Sequence, residues 1–290
     1  MNLRKWIETY YTMYKKFDLK AGTIDAYLRC LCRVPDDWNV EDVTREKLQL
    51  LINVLADELA ASTVKHVFTI IREPLLNAHK YGYNANVDAV SNIRLPAQKK
   101  KAVKSLTAAE QSAIADVLQE SDYADIYIML LNTGLRFCEL AGLNVGDVDF
   151  QNKTISIERN KYRGYLYNTT KTQAGIRVVP LNFAALSVCR RQLKVGSCKN
   201  PLFLSKRGLR LSYNTVVHDW HKLLESAGIA KCGLHVLRHT FATNLLASNV
   251  SLKVASALLG HESIAITADI YMDVPLDLKK QAVDCLKFGA

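Results

Sequence analysis

Through the N-terminal third of the chain, apolar residues recur at the three- and four-residue spacing that gathers them on one side of an α-helix. Leu3, Trp6, Ile7, Tyr10, Tyr11 and Tyr14 form one such series, and Ile24, Tyr27, Leu28 and Leu31 form a second. Thr44 precedes a third, made of Leu48, Leu51, Ile52 and Leu55. Thr63 opens a longer one with Val64, Val67, Phe68, Ile71, Leu75 and Ala78. Pro74 lies inside it and should kink or split the helix, because proline has no amide hydrogen to donate. Together these series predict a small helical bundle over residues 1–94.

The pattern then breaks. Residues 95–104 hold Pro96, Gln98 and a basic cluster of Lys99, Lys100, Lys101 and Lys104, with few bulky apolar side chains, and are expected to be a linker. Helical spacing resumes at Thr107-Ala108-Ala109-Glu110, which has the form of a capping box, and runs to about Leu143. A strand-rich insert follows: Thr154 to Glu158, Tyr165 to Thr169 and Ile176 to Val179 alternate β-branched or aromatic residues with others, and turn residues separate them. From Thr215 onward the pattern is helical again. Pro275 interrupts it, and Leu278, Ala282, Val283 and Leu286 make a short apolar stripe beyond. The expected class is mainly α: a helical bundle, then an α+β domain over residues 105–290.

A length of 290 residues favours two domains over one, and 49% hydrophobic with 23% charged residues is a soluble globular composition. The longest apolar stretch, Ile126 to Leu131, is too short to cross a bilayer. Met1-Asn2-Leu3-Arg4-Lys5-Trp6 begins no secretory signal, so a cytoplasmic protein with no membrane partner is expected. The seven cysteines are scattered, and the one close pair, Cys30 and Cys32, is too tight for a redox or zinc motif. Cys138, between Phe137 and Leu140, reads as a packed thiol rather than a nucleophile. The net charge of +10 favours a polyanionic partner, nucleic acid ahead of a membrane surface. Charge alone does not separate DNA from RNA, or an enzyme from a binder.

Candidate chemistry sits in the second half. Arg136 lies in Thr133-Gly134-Leu135-Arg136-Phe137-Cys138-Glu139-Leu140, and Lys171 between the second and third strands. His235 and Arg238 lie in His235-Val236-Leu237-Arg238-His239, His261 follows Leu258-Leu259-Gly260, and Tyr271 comes last. Arginines can grip a phosphate through forked, charge-assisted hydrogen bonds. Lysine and histidine move protons, and a tyrosine hydroxyl can attack. His235 and Arg238, three apart, share a helix face beside the apolar series Phe241, Ala242, Leu245 and Leu246. His235 and His239 have the spacing of two metal ligands, but no glutamate or further ligand cluster accompanies them. Taken singly, each residue reads equally well as an ordinary helix edge, a hairpin lysine or one of thirteen tyrosines.

In order and context the set resembles the tyrosine recombinase (phage integrase) family of site-specific DNA recombinases. Thr133-Gly134-Leu135-Arg136 with Glu139 resembles the family's first arginine box and its acidic partner. Thr170-Lys171-Thr172 before Arg177-Val178-Val179-Pro180-Leu181 is similar to the hairpin bearing the catalytic lysine. Leu234 to Thr243 resembles the second box, and Leu258-Leu259-Gly260-His261 with Thr267 and Ile270-Tyr271 the box that ends in the nucleophile.

The resemblance implies a core-binding bundle, a basic linker and a catalytic domain with a small antiparallel sheet. It implies that Tyr271 attacks phosphorus to give a 3′-phosphotyrosyl bond and that His235 accepts its proton. Arg136, Arg238 and His261 would stabilise the transition state, Lys171 would protonate the 5′-oxygen and Glu139 would orient Arg136. No metal, nucleotide or other cofactor is implied. The implied partner is double-stranded DNA with paired short sites, bound by a homotetramer exchanging C-terminal tails, with an accessory protein left open. Lys99, Lys100, Lys101 and Lys104 would lie along the DNA backbone. The setting implied is the nucleoid of a bacterium, or a phage or mobile element. A type IB topoisomerase and a non-catalytic DNA-binding regulator of the same fold are the competing expectations.

Overall fold

Asn2 starts the first helix, α1 (Leu3–Thr9), by accepting the Lys5 amide hydrogen on its side chain at 3.1 Å. In the computed structural model, which describes residues 1–97, 105–162, 164–167, 175–193, 200–263, 265 and 268, the chain divides into two compact units, Met1–Lys101 and Ala102–Ala290. Each has its own apolar core. The basic cluster Lys99, Lys100, Lys101 and Lys104 lies outside the described residues. So do Lys171, Tyr271 and the C-terminal apolar stripe. Among the described residues the fold is mainly helical with a small antiparallel sheet.

In the first unit, α1 runs on into a π-helical turn (Tyr10–Tyr14), followed by α2 (Ala21–Arg29), α3 (Arg45–Glu58) and α4 (Ala61–Asn77). Trp6 organises the core. It is fully buried, its indole N–H donates to the Pro74 carbonyl at 3.0 Å, and its ring lies 4.8 Å from that of Tyr83 and 5.4 Å from that of Tyr81. Thr44 caps α3 by accepting from the Lys47 amide. Two details of α4 differ from the sequence pattern. The helix begins at Ala61 rather than Thr63, and Pro74 does not split it. Burial of Pro74 against α1 and the bond its carbonyl accepts from Trp6 offset the hydrogen bond that proline cannot make.

The second unit opens with α5 (Ala108–Val117), whose capping box has both predicted bonds, Glu110 amide to Thr107 at 3.2 Å and Thr107 amide to Glu110 at 2.8 Å. Next come α6 (Ala124–Thr133), α7 (Phe137–Gly142), the short β1 (Val148–Asp149), β2 (Thr154–Ile157), β3 (Asn160–Tyr162), β4 (Tyr165–Tyr167) and β5 (Arg177–Pro180). The helices α8 (Phe183–Gln192), α9 (Tyr213–Ser226), α10 (His235–Ala247) and α11 (Leu252–Leu259) complete it. Strands β1, β2 and β5 form an antiparallel sheet with Ile155 opposite Val179, and β3 pairs with β4 as a separate hairpin. Ile155, Ile157 and Val179 point into the core with Leu140, Leu186, Trp220 and Leu237. The face that α10 buries is Val236, Leu237, Arg238, Thr240 and Ala242, whereas Phe241, Leu245 and Leu246 are only half covered.

Helix α6 ends where Gly134 turns left-handed at φ +63, which carries the chain toward Arg136. A Cβ built on Gly134 would lie 2.3 Å from the Phe241 ring and 3.0 Å from Leu259. Gly134→Ala therefore meets both backbone strain and a ring that must move, and should lower unfolding stability by roughly 2–4 kcal/mol. Denaturant melts of the two proteins read this directly; an unchanged midpoint would show that α10 yields freely.

Candidate active site

Glu139 is the third residue of α7 and folds back over the helix start. One carboxylate oxygen accepts the Arg136 amide at 2.9 Å, and the other accepts the Arg136 guanidinium at 2.7 Å. The helix cap and the ion pair are therefore made by one side chain, itself only 3% exposed. Arg177, the first residue of β5, reaches the same carboxylate from the sheet. Its Nη2 donates at 3.0 Å and its Nη1 at 3.3 Å. Arg177 also donates from Nε to the Leu258 carbonyl at 2.7 Å and from Nη1 to the Gly175 carbonyl at 3.0 Å.

Arg238 enters from α10. It is 2% exposed and donates to the Gly134 carbonyl and to the Leu259 carbonyl, each at 2.7 Å. Two consecutive carbonyls at the end of α11 are thus held by two different arginines, and Gly260 then turns left-handed at φ +65 into His261. Burying a guanidinium costs less when its donors find partners, and among the described residues two backbone carbonyls each accept one hydrogen bond from Arg238.

Three guanidinium groups around one carboxylate leave a surplus of two positive charges, which suits an anion. The charges shape each neighbour's protonation. Burial works against the Glu139 charge, but Arg177 and then Arg136 outweigh it, and the carboxyl stays below its ordinary range. Arg238 is drawn down to about 9 by burial and by Arg136, and remains charged at neutral pH. His261, half-buried, is pushed down to about 4 by burial and by Arg238, Arg136 and Arg177. His235 stands at the exposed rim of α10, yet the protein around its ring and the charges of His239, Arg238 and Arg136 push it down as well. Both histidines are neutral at pH 7, so each ring has one nitrogen able to accept a proton and one N–H able to donate a hydrogen bond.

Arg136, Glu139, His235, Arg238 and His261, far apart in the chain, thus lie within electrostatic reach of one another. Lys171 and Tyr271 lie outside the described residues. Burial raises the Cys138 thiol above its ordinary value, which disfavours a thiolate nucleophile. The His235 and His239 rings meet edge-on at 4.8 Å, and among the described residues no cluster of three His, Cys, Asp or Glu side chains has the arrangement of a metal site. Arg177 is the residue that motif reading passes over. Strand parity carries the signal, because Arg177 is in phase with the buried Val179 while Val178 faces out.

Comparison with known proteins identifies the family. Residues 99–276 match the phage integrase family. Tyrosine recombinase XerC of Haemophilus ducreyi is 28% identical over 243 residues, which are 80% of this chain and 75% of that protein. A XerC-like tyrosine recombinase of Caldanaerobacter subterraneus subsp. tengcongensis is 29% identical over 63% of this chain and 54% of its own length. The transposase from transposon Tn916 of Enterococcus faecalis is 30% identical over 57% of this chain and 45% of its own. The chain thus spans about half the length of two of these relatives. Among solved structures, the Tn1549 transposon integrase in complex with transposon right end DNA superposes with a TM-score of 0.80 at 20% identity, covering 99% of each chain. A lambda integrase dimer bound to a core site gives 0.72 at 22% identity, over 92% of this chain and 97% of the other. At these identities the structural likeness shows a common fold, and the family match reaches further: the chain belongs to the phage integrase family.

Proposed function

We propose that the protein is a site-specific DNA recombinase that cuts and rejoins strands through a 3′-phosphotyrosyl intermediate. The observation that carries this reading is the arginine cluster built on Glu139, beside two histidines that are neutral at pH 7. In it, Arg136 and Arg238 hold the non-bridging oxygens of the scissile phosphate and His261 adds a hydrogen bond. Tyr271 attacks phosphorus, and its phenolic proton passes to His235 as the bond forms. The bond from phosphorus to the 5′-oxygen breaks, and Lys171 supplies the proton that leaves a 5′-hydroxyl. Attack by the 5′-hydroxyl of a partner strand on the phosphotyrosine reverses the step and seals a new junction. No external energy source is required, since the phosphotyrosyl linkage retains the energy of the bond it replaced.

The partner in this reading is duplex DNA with paired short sites, and the Tn1549 and lambda proteins, each solved with DNA, support that choice. Lys99, Lys100, Lys101 and Lys104 lie along the phosphates and make binding salt-dependent. The C-terminal stripe of Leu278, Ala282, Val283 and Leu286 docks on a neighbouring protomer in a tetramer.

Covalent trapping tests the chemistry. Wild type should form an SDS-resistant adduct with nicked suicide duplexes, drawn from DNA flanking the gene and from a randomised library, and Tyr271→Phe should form none. Binding by both proteins with adducts from neither would remove Tyr271 from its role.

The two arginines should separate in a paired measurement. Arg136→Ala should slow cleavage at least ~100-fold with DNA affinity little changed. Arg238→Ala should also lose roughly 2–4 kcal/mol of stability, because it orphans the Gly134 and Leu259 carbonyls. If Arg136→Ala loses binding and cleavage in equal proportion, its role is only to hold DNA.

The histidines make a pH-dependent contribution. Their folded pKa lies below the ordinary 6.5, so between there and about 4 the unfolded chain binds more protons than the folded one. Their share of stability is complete above pH 6.5 and drains away toward pH 4. Melting temperature of the DNA-free protein should fall more steeply across that window than in the His235→Gln, His261→Gln double variant. Equal slopes would mean that neither ring is held neutral.

A further inference from the structure

Arg177 is separated from Glu139 by 38 residues and from Leu258 by 81, yet it bonds both. A guanidinium has five N–H donors in a fixed plane. Among the described residues Arg177 spends four of them within the protein: Nε on the Leu258 carbonyl, Nη1 on Glu139 and the Gly175 carbonyl, and Nη2 on Glu139. Arg136, by contrast, commits one side-chain donor, to Glu139, and Arg238 commits two, to Gly134 and Leu259. Arg136 is also the most open of the three, at 27% exposed against 7% for Arg177. Among the described residues, the donor count separates the cluster into two arginines with most of their hydrogens uncommitted and one with almost none.

The pairs that Arg177 joins are the two that need alignment. Glu139 fixes the Arg136 guanidinium and the start of α7. Leu258 lies three residues before His261, at the end of α11, and the His261 amide is itself tied back to the Ser256 carbonyl at 3.1 Å. Because the guanidinium is planar and cannot bend, the direction of Nε fixes the direction of both Nη atoms. A lysine in its place would keep the charge and lose that angle.

We propose that Arg177 is a positioning residue for strand cleavage, a rigid brace from Glu139 to the end of α11 that keeps Arg136 and His261 in register on one phosphate. In this role it acts through Glu139 and the end of α11, not as a ligand of the phosphate. The proposal rests on the strand-cleaving reading of the site.

The test uses the full chain, the nicked suicide duplex that wild type cleaves, and the variants Arg177→Lys and Arg177→Met. For each, DNA affinity, single-turnover adduct formation and melting temperature are measured. Arg177→Lys should retain affinity within about twofold and form adduct ~100-fold more slowly, the size of a misalignment of roughly an ångström. A titration supplies a readout that a merely structural residue would not move. His261 faces Arg238, Arg136, Arg177 and His235, and Arg177 is one of the charges that hold its proton off. The His261 ring titration, followed by NMR, should therefore shift to higher pH in Arg177→Met and stay in place in Arg177→Lys.

Slowing that tracks only the loss of folded protein, with identical His261 titrations in all three, would overturn the brace. So would a wild-type rate in Arg177→Lys, and that arm decides alone if Arg177→Met does not fold. Failure of wild type itself to form an adduct would instead remove the strand-cleaving reading.

Discussion

A single buried carboxylate sets the terms for the second unit. Without Glu139, the guanidinium groups of Arg136 and Arg177 would confront one another at the edge of an apolar core, with Arg238 behind them. Like charges at such range, away from water, repel strongly. Glu139 is equally dependent on them, since burial alone would favour its neutral form. The dependence is mutual, and it is spread along the chain: the partners lie on α7, β5 and α10, with α11 drawn in through backbone carbonyls. Forming the site is therefore the same event as docking those four elements. This explains why Arg238, expected from sequence only as a phosphate ligand, is also among the largest fully buried side chains of the fold.

Much of this was legible in the sequence because its local signals agree with the tertiary outcome. The capping box at Thr107 forms as its spacing demands, and the alternation of Thr154–Ile157 delivers Ile155 and Ile157 to the core. Motif order singled out Arg136, Glu139, His235, Arg238 and His261, and those residues converge. What escaped depends on contacts between distant segments. Pro74 looks like a breaker because proline is one locally, and only the bond from Trp6, 68 residues away, shows why the helix carries through. Arg177 looks like an edge charge on a short strand, and its partners are 38 and 81 residues off. Glycine at 134 is readable as a helix stop, but the ring of Phe241 that lies against it is not.

The end of α11 adds a property that the charged side chains lack. Its last carbonyls carry the negative pole of the helix, and Arg238 and Arg177 both rest against them. A carboxylate in that place would be an acid, able to gain a proton and let its partner go. An amide dipole does not titrate. Part of the counter-charge that keeps these two cations ordered is thus insensitive to acid, so the scaffold of the site and its proton-handling groups answer to different chemistry. Acid can silence the histidines while leaving the arginines where they stand.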